Sequence, residues 1–227
     1  MINFIFMLTH RDRTVPDAAD VLKDLAGSGL RYVGFKDVGV SPVEVRALTD
    51  QAHDLDMTVM LEVVSTTRED ELASLDAALA CGVDWILGGT HGDEGAALFR
   101  GTGQRYCPFP GTVAGHPSML RGTIEEIAAD AARLTALDGV CGVDLLTYRH
   151  ADADPYDLTA AVAAVTEGPV IVAGSIISAA QIALMARAGA WGFTIGGAVF
   201  EGQLPGGRRV ADQVRTVLDL SAQVDAS

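Results

Sequence analysis

The sequence predicts a single (β/α)8 TIM barrel, an α/β fold, on three observations. Short apolar runs alternate with longer segments of helical period, and the alternation continues to the end of the chain. The runs VGF, VIVAG and GFTIG are apolar on both faces, which is typical of parallel strands that helices cover. The length of 227 residues suits a barrel that forms as one unit. A doubly wound open sheet is the alternative fold.

The strands are predicted from the apolar runs, near residues 3–8, 31–35, 57–62, 83–87, 104–108, 139–146, 169–173 and 191–195. Helical periods fill the segments between them, at residues 16–27, 41–55, 67–80, 123–136, 155–166, 178–188 and 208–222. The connector at 88–103 has the weakest helical pattern. No linker or charge block divides the chain, so residues 1–227 are expected to form one domain.

Helix boundaries are indicated by capping residues. Ser41-Pro42 and Ser178 are typical helix starts, because serine caps the first amides and proline fits the first turn. Gly82, Gly139 and Gly189 stand where helices should end, since glycine readily adopts the left-handed conformation of a helix C-terminus.

Composition and charge limit the partners of the chain. A formal net charge of −14 argues against nucleic acid and anionic membrane surfaces, because both would be repelled at long range. No apolar run approaches the roughly 18 residues of a membrane span. The amino-terminal stretch MINFIFMLTHRDR fits a first strand better than a secretion signal, so a cytoplasmic protein is expected.

The three cysteines, Cys81, Cys107 and Cys141, are widely spaced and form no CxxC pair. This pattern indicates neither a disulfide framework nor a zinc site. We expect the cysteines to act as small buried hydrophobic residues.

A phosphate site is predicted after the last two strands. Gly174 and Ser175 follow the seventh strand, while Gly196 and Gly197 follow the eighth and lead into AVFEG. Glycines let the backbone approach a ligand closely, and exposed amides direct partial positive charge at an anion. Barrels commonly bind phosphate at this place. The alternative is that these glycines only turn the chain.

The stretches AGSIIS and TIGGAVFEG resemble the paired carboxy-terminal phosphate motif of the ribulose-phosphate-binding barrel superfamily. That superfamily includes the phosphoribosyl isomerases of histidine and tryptophan synthesis, indoleglycerol-phosphate synthase and N-acetylmannosamine-6-phosphate epimerase. The resemblance covers the last quarter of the chain. It implies that Gly174, Ser175, Gly196 and Gly197 bind phosphate through main-chain amides, and it does not specify the reaction.

Lys36 and Glu62 are the predicted catalytic pair. The chain has one other lysine, Lys23, and an amine supports chemistry that an always-charged guanidinium does not. Glu62 lies inside the apolar run MTVMLEVVS, where an ionised carboxylate is costly unless it is paired. Lys36, at nearly the same height on the neighbouring strand, is the expected partner, and such a pair can serve as acid and base. The alternative is a structural ion pair.

Asp37 follows Lys36 directly, and side chains alternate along a strand. The two side chains should therefore point in opposite directions. The sequence leaves open which of them faces the pocket.

Other strand ends also carry polar side chains. His10 and Arg11 are candidates for substrate binding or belong to a solvated loop, and His91 is a candidate catalytic or ligand-binding residue or an ordinary loop histidine. Tyr106 presents its hydroxyl to the pocket or lies in the core. The end of the sixth strand presents Asp144, Tyr148, Arg149 and His150. A metal site assembled from His10, Asp37, Glu62 and His91 is an alternative, but the HxD-type strand ends of metal-dependent pentulose-phosphate epimerases are missing. No metal is therefore expected, and no cofactor.

These observations predict an enzyme that acts on a small phosphorylated sugar or sugar-derived metabolite. Isomerisation or epimerisation by proton transfer is the first choice, because it needs an acid and a base without a cofactor. An aldolase, lyase or synthase with a Schiff base at Lys36 is the second, although related barrel aldolases usually carry this lysine on the sixth strand. A non-catalytic phosphometabolite-binding barrel is the third. A homodimer is suggested by analogy only.

Overall fold

The computed structural model describes residues 2–65 and 67–224, and these residues form a (β/α)8 TIM barrel, as the sequence predicts. The eight parallel barrel strands, numbered here one to eight along the chain, are Asn3–Met7, Tyr32–Lys36, Thr58–Val63, Trp85–Gly88, Arg105–Cys107, Val143–Leu145, Val170–Val172 and Gly192–Ile195. Neighbouring strands in the sequence are neighbours in the sheet, and the eighth strand pairs with the first.

The fifth and sixth strands close the barrel. The fifth strand meets the segment that leads into the sixth through an isolated parallel bridge between Tyr106 and Val140. Backbone hydrogen bonds from Cys141 to Tyr106 and from Asp144 to Pro108 accompany this bridge. We call this junction the seam of the barrel.

Helices cover the outside of the sheet at Ala18–Asp24, Pro42–His53, Arg68–Ala80, Gly92–Phe99, Ile124–Thr135, Pro155–Val165, Ala179–Arg187 and Val210–Val224, with short helices at Thr147–Arg149 and Gly197–Phe200. Ser41 and Ser178 are the N-caps of their helices, as predicted, and Ser41 forms a capping box with Glu44. In the described part of the chain, no helix is long and apolar enough to cross a membrane.

The connector between the fourth and fifth strands contains the helix Gly92–Phe99, where the sequence pattern is weakest. The helix packs closely on the fifth strand. The packing is so close that a Cβ atom on Gly95 would collide with the ring of Tyr106. This close approach explains why a glycine interrupts the helical pattern there.

The interior of the barrel changes from apolar to polar along its axis. Trp85 and Trp191 stack at the amino-terminal end with ring centroids 4.9 Å apart, and Tyr32 meets Trp191 edge-on. The middle of the barrel is filled by small and medium apolar side chains: Ile5, Met7, Met60, Leu87, Cys107 and Ile171. Buried polar side chains, among them Lys36, Glu62, Asp144 and Thr194, follow toward the carboxyl ends of the strands. The polar end is where ligands bind in barrels of this kind.

Two antiparallel hairpins, which the sequence pattern does not indicate, are added to the barrel. One pairs Thr9–His10 with Arg13–Thr14, and the other pairs Thr112–Ala114 with Met119–Arg121. The first hairpin lies directly after the first strand and contributes to the site described next.

Candidate active site

A cavity of about 240 Å³ opens at the carboxyl ends of the strands. It is smaller than the roughly 300–1,000 Å³ of sites for drug-sized ligands, which favours a small metabolite. The polar and glycine residues that line it come from the hairpin after the first strand, the second and third strands, and the loops after the sixth, seventh and eighth strands: Thr9, Arg11, Asp12, Lys36, Glu62, Arg149, Gly174, Ser175, Thr194, Gly196, Gly197, Glu201 and Gln203.

Lys36, and not Asp37, faces this cavity. The Asp37 carboxylate turns toward the third strand, where it accepts hydrogen bonds of 3.0 Å from the Val64 amide and 2.5 Å from the Ser65 hydroxyl. Asp37 therefore ties the ends of the second and third strands together. The alternation of side chains along the second strand leaves Lys36 on the inner face.

The first hairpin places Asp12 over Lys36. Its two turn residues, Arg11 and Asp12, have φ angles of 52° and 57°, as a two-residue hairpin turn of this type requires. Thr14 fixes the hairpin to the second strand, since its hydroxyl donates to the Lys36 carbonyl at 2.8 Å and accepts from the Lys36 amide at 3.0 Å. The Asp12 carboxylate is thereby held against the lysine side chain.

Lys36, Asp12 and Arg149 form a buried charge network. The Lys36 ammonium donates to Asp12 Oδ1 at 2.6 Å, and the Arg149 guanidinium donates to the same oxygen at 2.9 Å. Burial by itself would raise the pKa of Asp12, but the charges and hydrogen bonds of Lys36 and Arg149 outweigh burial and lower this pKa to about 2. Asp12 is therefore a firmly ionised carboxylate and a weak base.

Glu62 lies directly opposite Lys36 on the third strand, with Oε1 3.7 Å from the Lys36 ammonium. This separation exceeds hydrogen-bond length. Within the described residues, no hydrogen bond reaches the Glu62 carboxylate, although only 5% of its side chain is exposed. Glu62 thus keeps its lone pairs available at the floor of the cavity.

Asp144 lies deeper in the barrel interior. Val143 and Leu145 pack against the outer helices, so the alternation along the sixth strand directs Asp144 inward, beside Ile171. Asp144 is fully buried, and neither carboxyl oxygen has a hydrogen-bond partner among the described residues. Burial raises the pKa of Asp144 well above its ordinary value, and the charge of Glu62 adds to this effect. The environment therefore favours the neutral, protonated carboxyl group.

Two loops form the part of the cavity wall that lies next to Arg149 and the first hairpin. Gly174 and Ser175 have φ angles of 79° and 62°, and Gly196 and Gly197 begin the short helix Gly197–Phe200. No hydrogen bond within the described residues takes the main-chain amides of these four residues. A Cβ atom on Gly174 would collide with Arg149, whereas a Cβ atom on Gly197 would meet nothing within 4 Å. The predicted phosphate loops thus border open space with unpaired donors.

Arg11 also lines the cavity, and none of the ion pairs in the described part of the chain involves it. His10, the other residue of this segment that is predicted to bind substrate, does not line the cavity. The His10 ring lies 3.0 Å from Glu201 Oε1 and near the ring of Phe200. Arg11, rather than His10, is therefore available to an anion.

His91 and Tyr106 lie away from the cavity. The fully buried Glu71 accepts hydrogen bonds from the backbone amides of Thr90 and His91, and His91 Nδ1 lies 2.9 Å from the same carboxylate. Tyr106 packs on Phe99 outside the sheet, its hydroxyl group has no partner, and burial raises its pKa. His91 anchors the fourth connector to the helix Arg68–Ala80, and Tyr106 belongs to the core.

The structure thus brings together Lys36, Glu62, Arg11 and the four loop residues at one cavity. It adds Asp12, which the sequence does not single out as a site residue. The only sequence signal for Asp12 is its place in HRDR, directly after the first strand. Among residues 2–65 and 67–224, no group of three or more histidine, cysteine, aspartate and glutamate side chains is arranged to hold a metal ion.

Fold and cavity together define a (β/α)8 barrel with a small polar site at the carboxyl ends of its strands. Solved structures of similar shape include three barrels of low sequence identity. The native KDPGal structure is 19% identical, with 98% of this chain and 93% of that chain covered and a TM-score of 0.64. The N-acetylmannosamine-6-phosphate 2-epimerase of Clostridium perfringens is 12% identical, with 86% of each chain covered and a TM-score of 0.62. A mutant tryptophan synthase alpha-subunit from Pyrococcus furiosus is 14% identical, with 97% of this chain and 98% of that chain covered and a TM-score of 0.64.

No protein-family model matches the chain, and no curated protein matches it. Identities between 12% and 19% show the fold alone.

Proposed function

We propose that this protein is an isomerase or epimerase that moves a proton on a small phosphorylated sugar or a related metabolite. One observation carries the proposal. A buried amine, Lys36, and a buried carboxylate without hydrogen bonds, Glu62, lie 3.7 Å apart on the floor of a cavity whose wall also presents unpaired amides. An acid, a base and an anion site are the parts that such a proton transfer needs.

The substrate phosphate would be bound by the loops at Gly174–Ser175 and Gly196–Gly197. Their amides lack internal acceptors, and a phosphate oxygen satisfies such donors well. Arg11 at the rim supplies a charge that no carboxylate of the described chain neutralises. The fold neighbour named as a 6-phosphate sugar epimerase supports a substrate of this class.

Glu62 is the proposed base and Lys36 the proposed acid. Glu62 would remove a proton from the carbon beside the substrate carbonyl, because its carboxylate oxygens accept no hydrogen bond from the described residues and are screened from bulk water. The Lys36 ammonium would donate a hydrogen bond to the carbonyl oxygen as negative charge develops there. Glu62 would then return the proton to the neighbouring carbon, which completes an isomerisation, whereas an epimerisation would need a second proton donor on the opposite face of the same carbon.

Asp12 is not the proposed base. Its pKa of about 2 is far below the working range of a general base, and one of its oxygens already accepts two hydrogen bonds. Asp12 and Arg149 instead position the Lys36 ammonium. Asp12 is therefore a positioning residue in this proposal.

A Schiff-base aldolase or lyase is the second candidate, because Lys36 is the amine that lines the cavity and the chain has one other lysine, the exposed Lys23. Schiff-base formation requires the lysine nitrogen to attack a substrate carbonyl. The Lys36 nitrogen is instead held by Asp12 at 2.6 Å and lies 3.7 Å from Glu62. The geometry therefore supports proton transfer more than imine chemistry.

Solvent exchange tests the proposal. The protein is incubated in D2O with a panel of aldose and ketose phosphates, and ¹H NMR follows loss of the proton beside the carbonyl. Exchange that requires both Lys36 and Glu62 supports the isomerase. A borohydride-trapped adduct at Lys36 would support the aldolase instead, and phosphate binding without exchange or adduct would support a non-catalytic binding protein.

A further inference from the structure

Two cysteine thiols meet inside the barrel, below the cavity. Cys107 ends the fifth strand and Cys141 precedes the sixth, and their Sγ atoms are 3.4 Å apart. Both cysteines are reduced, and both side chains belong to the inner cluster of the barrel. The proposed proton transfer uses neither of them.

These thiols lie beside the seam, the junction of the sheet at which the fewest residues are paired. Every other pair of neighbouring strands in the described residues shares at least two register positions, and the second and third strands share five. The fifth strand and the segment before the sixth are joined by the isolated bridge between Tyr106 and Val140. Cys107 directly follows Tyr106, and Cys141 directly follows Val140.

We propose that Cys107 and Cys141 are a redox modification site, at which hydrogen peroxide converts the two thiols into a reversible disulfide across the seam. Adjacent strands are about 4.8 Å apart, which falls within the roughly 4.4–6.8 Å range of Cα separations in disulfides. The sulfur atoms are already in contact. The disulfide therefore forms without rearrangement of the strands.

Cys141 is the attacking thiol. Its side chain is partly exposed, whereas Cys107 is fully buried. The contact with Cys107 lowers the pKa of Cys141, and the charge of Arg105 adds to this effect, while burial raises the pKa of Cys107. The thiolate is the reactive form, so oxidation begins at Cys141.

The chemistry balances in two steps. The Cys141 thiolate attacks one oxygen of hydrogen peroxide, the O–O bond breaks, and hydroxide leaves as a sulfenic acid forms. The Cys107 sulfur then attacks the Cys141 sulfur, the S–O bond breaks, and the departing hydroxide takes the Cys107 proton to give water. Two thiols are oxidised and one peroxide is reduced to water.

Cys81 is the internal control. It lies at the end of the helix Arg68–Ala80, and its thiol is 3.3 Å from the Pro42 carbonyl oxygen. Among the described residues, no hydrogen bond or disulfide joins Cys81 to another cysteine. Cys81 should therefore remain a thiol when the pair at the seam is oxidised.

The first test uses the unmodified full chain. After treatment with hydrogen peroxide, intact mass should fall by two hydrogen atoms and titration of the unfolded protein should find one thiol instead of three. Peptide mapping should link Cys107 to Cys141, and dithiothreitol should restore the original mass. An unchanged thiol count, or a link that includes Cys81, would overturn the proposal.

The second test uses variants and thermal melting. Cys107→Ala should give a Cys141 sulfenic acid that dimedone traps, Cys141→Ala should give none, and Cys81→Ala should form the disulfide as the unmodified chain does. The oxidised protein should melt several degrees above the reduced protein, because the link constrains the unfolded chain. Equal melting temperatures would refute a stabilising link across the seam, and dimedone labelling in Cys141→Ala would refute Cys141 as the attacking thiol.

Discussion

Lys36 is joined to Asp12 by a 2.6 Å hydrogen bond, although the two residues come from different strand-end segments of the barrel. The contact depends on a two-residue turn in the left-handed conformation and on Thr14, which bonds the backbone of Lys36 on both sides. The hairpin after the first strand therefore acts as a support for the amine.

Replacement of Lys36 should remove activity and leave the anion site intact. Lys36→Met should lower the rate of solvent exchange by roughly 10²–10⁴-fold, because the acid of the reaction is lost. Phosphate affinity, measured by calorimetry, should change little, since the variant keeps the loop amides and Arg11 that would bind the anion. Lys23→Met is the matched control, because Lys23 is exposed and pairs with Asp20. A Lys36→Met variant with normal exchange would contradict the proposed function.

Gly197→Ala should weaken phosphate binding without unfolding the protein. A Cβ atom there meets no atom within 4 Å, so the methyl group enters the space that the anion would occupy. We expect at least a tenfold loss of affinity for inorganic phosphate, or about 1.4 kcal/mol, by calorimetry. The melting temperature of the same variant should be unchanged, which separates loss of binding from loss of folding. Unaltered affinity would place the anion elsewhere.

Asp12 should stabilise the fold above pH 4 and lose this effect in acid. Its folded-state pKa of about 2 lies below the ordinary value of 3.8, so the stabilisation is present above 3.8 and disappears as pH falls through 2. Asp12→Asn should destabilise the protein at pH 7 by on the order of 2 kcal/mol and flatten the acid limb of the unfolding curve. Urea unfolding across this pH range measures both effects.

Asp20→Asn serves as the control for Asp12, because Asp20 is an exposed carboxylate that pairs with the exposed Lys23. Exposed pairs contribute little to stability. An equal loss of stability in both variants would show that burial of Asp12 contributes nothing.

Asp144 should have the opposite dependence on pH. The folded-state pKa of Asp144 is raised. Its contribution to the free energy of unfolding is therefore fully present below the ordinary pKa of 3.8 and is lost as pH rises toward the folded-state pKa. Asp144→Asn keeps the shape and removes the titration. The difference in unfolding free energy between this variant and the unmodified protein should therefore shift in favour of the variant as pH rises from 4 to 8. A difference that is constant with pH would contradict a protonated Asp144.

The barrel could be predicted from the sequence because its strands are apolar on both faces and its helices carry recognisable caps. Ser41 and Ser178 cap their helices as expected. The helix Gly92–Phe99 was harder to predict, since Gly95 is required by the approach of Tyr106 and weakens the local pattern. The hairpins have strands of two or three residues, which are too short to show a period.

The site could be predicted only in part, because local sequence does not reveal long-range partners. Lys36 and Glu62 stand out as charges in apolar runs, and the structure places them opposite each other. Asp12 becomes a partner of Lys36 through backbone conformation, which its neighbours in HRDR do not indicate. His91 is bound to Glu71, twenty residues earlier in the chain, and a histidine in a loop carries no sign of such a contact.

The aromatic layer at the amino-terminal end of the barrel gives the protein a built-in optical reporter. Both tryptophans of the chain stack there, Trp85 at the start of the fourth strand and Trp191 directly before the eighth, at the end of the barrel away from Lys36. Their emission should follow the integrity of the strand cylinder rather than occupancy of the cavity. Fluorescence and ligand titration will therefore record independent events on one unlabelled sample.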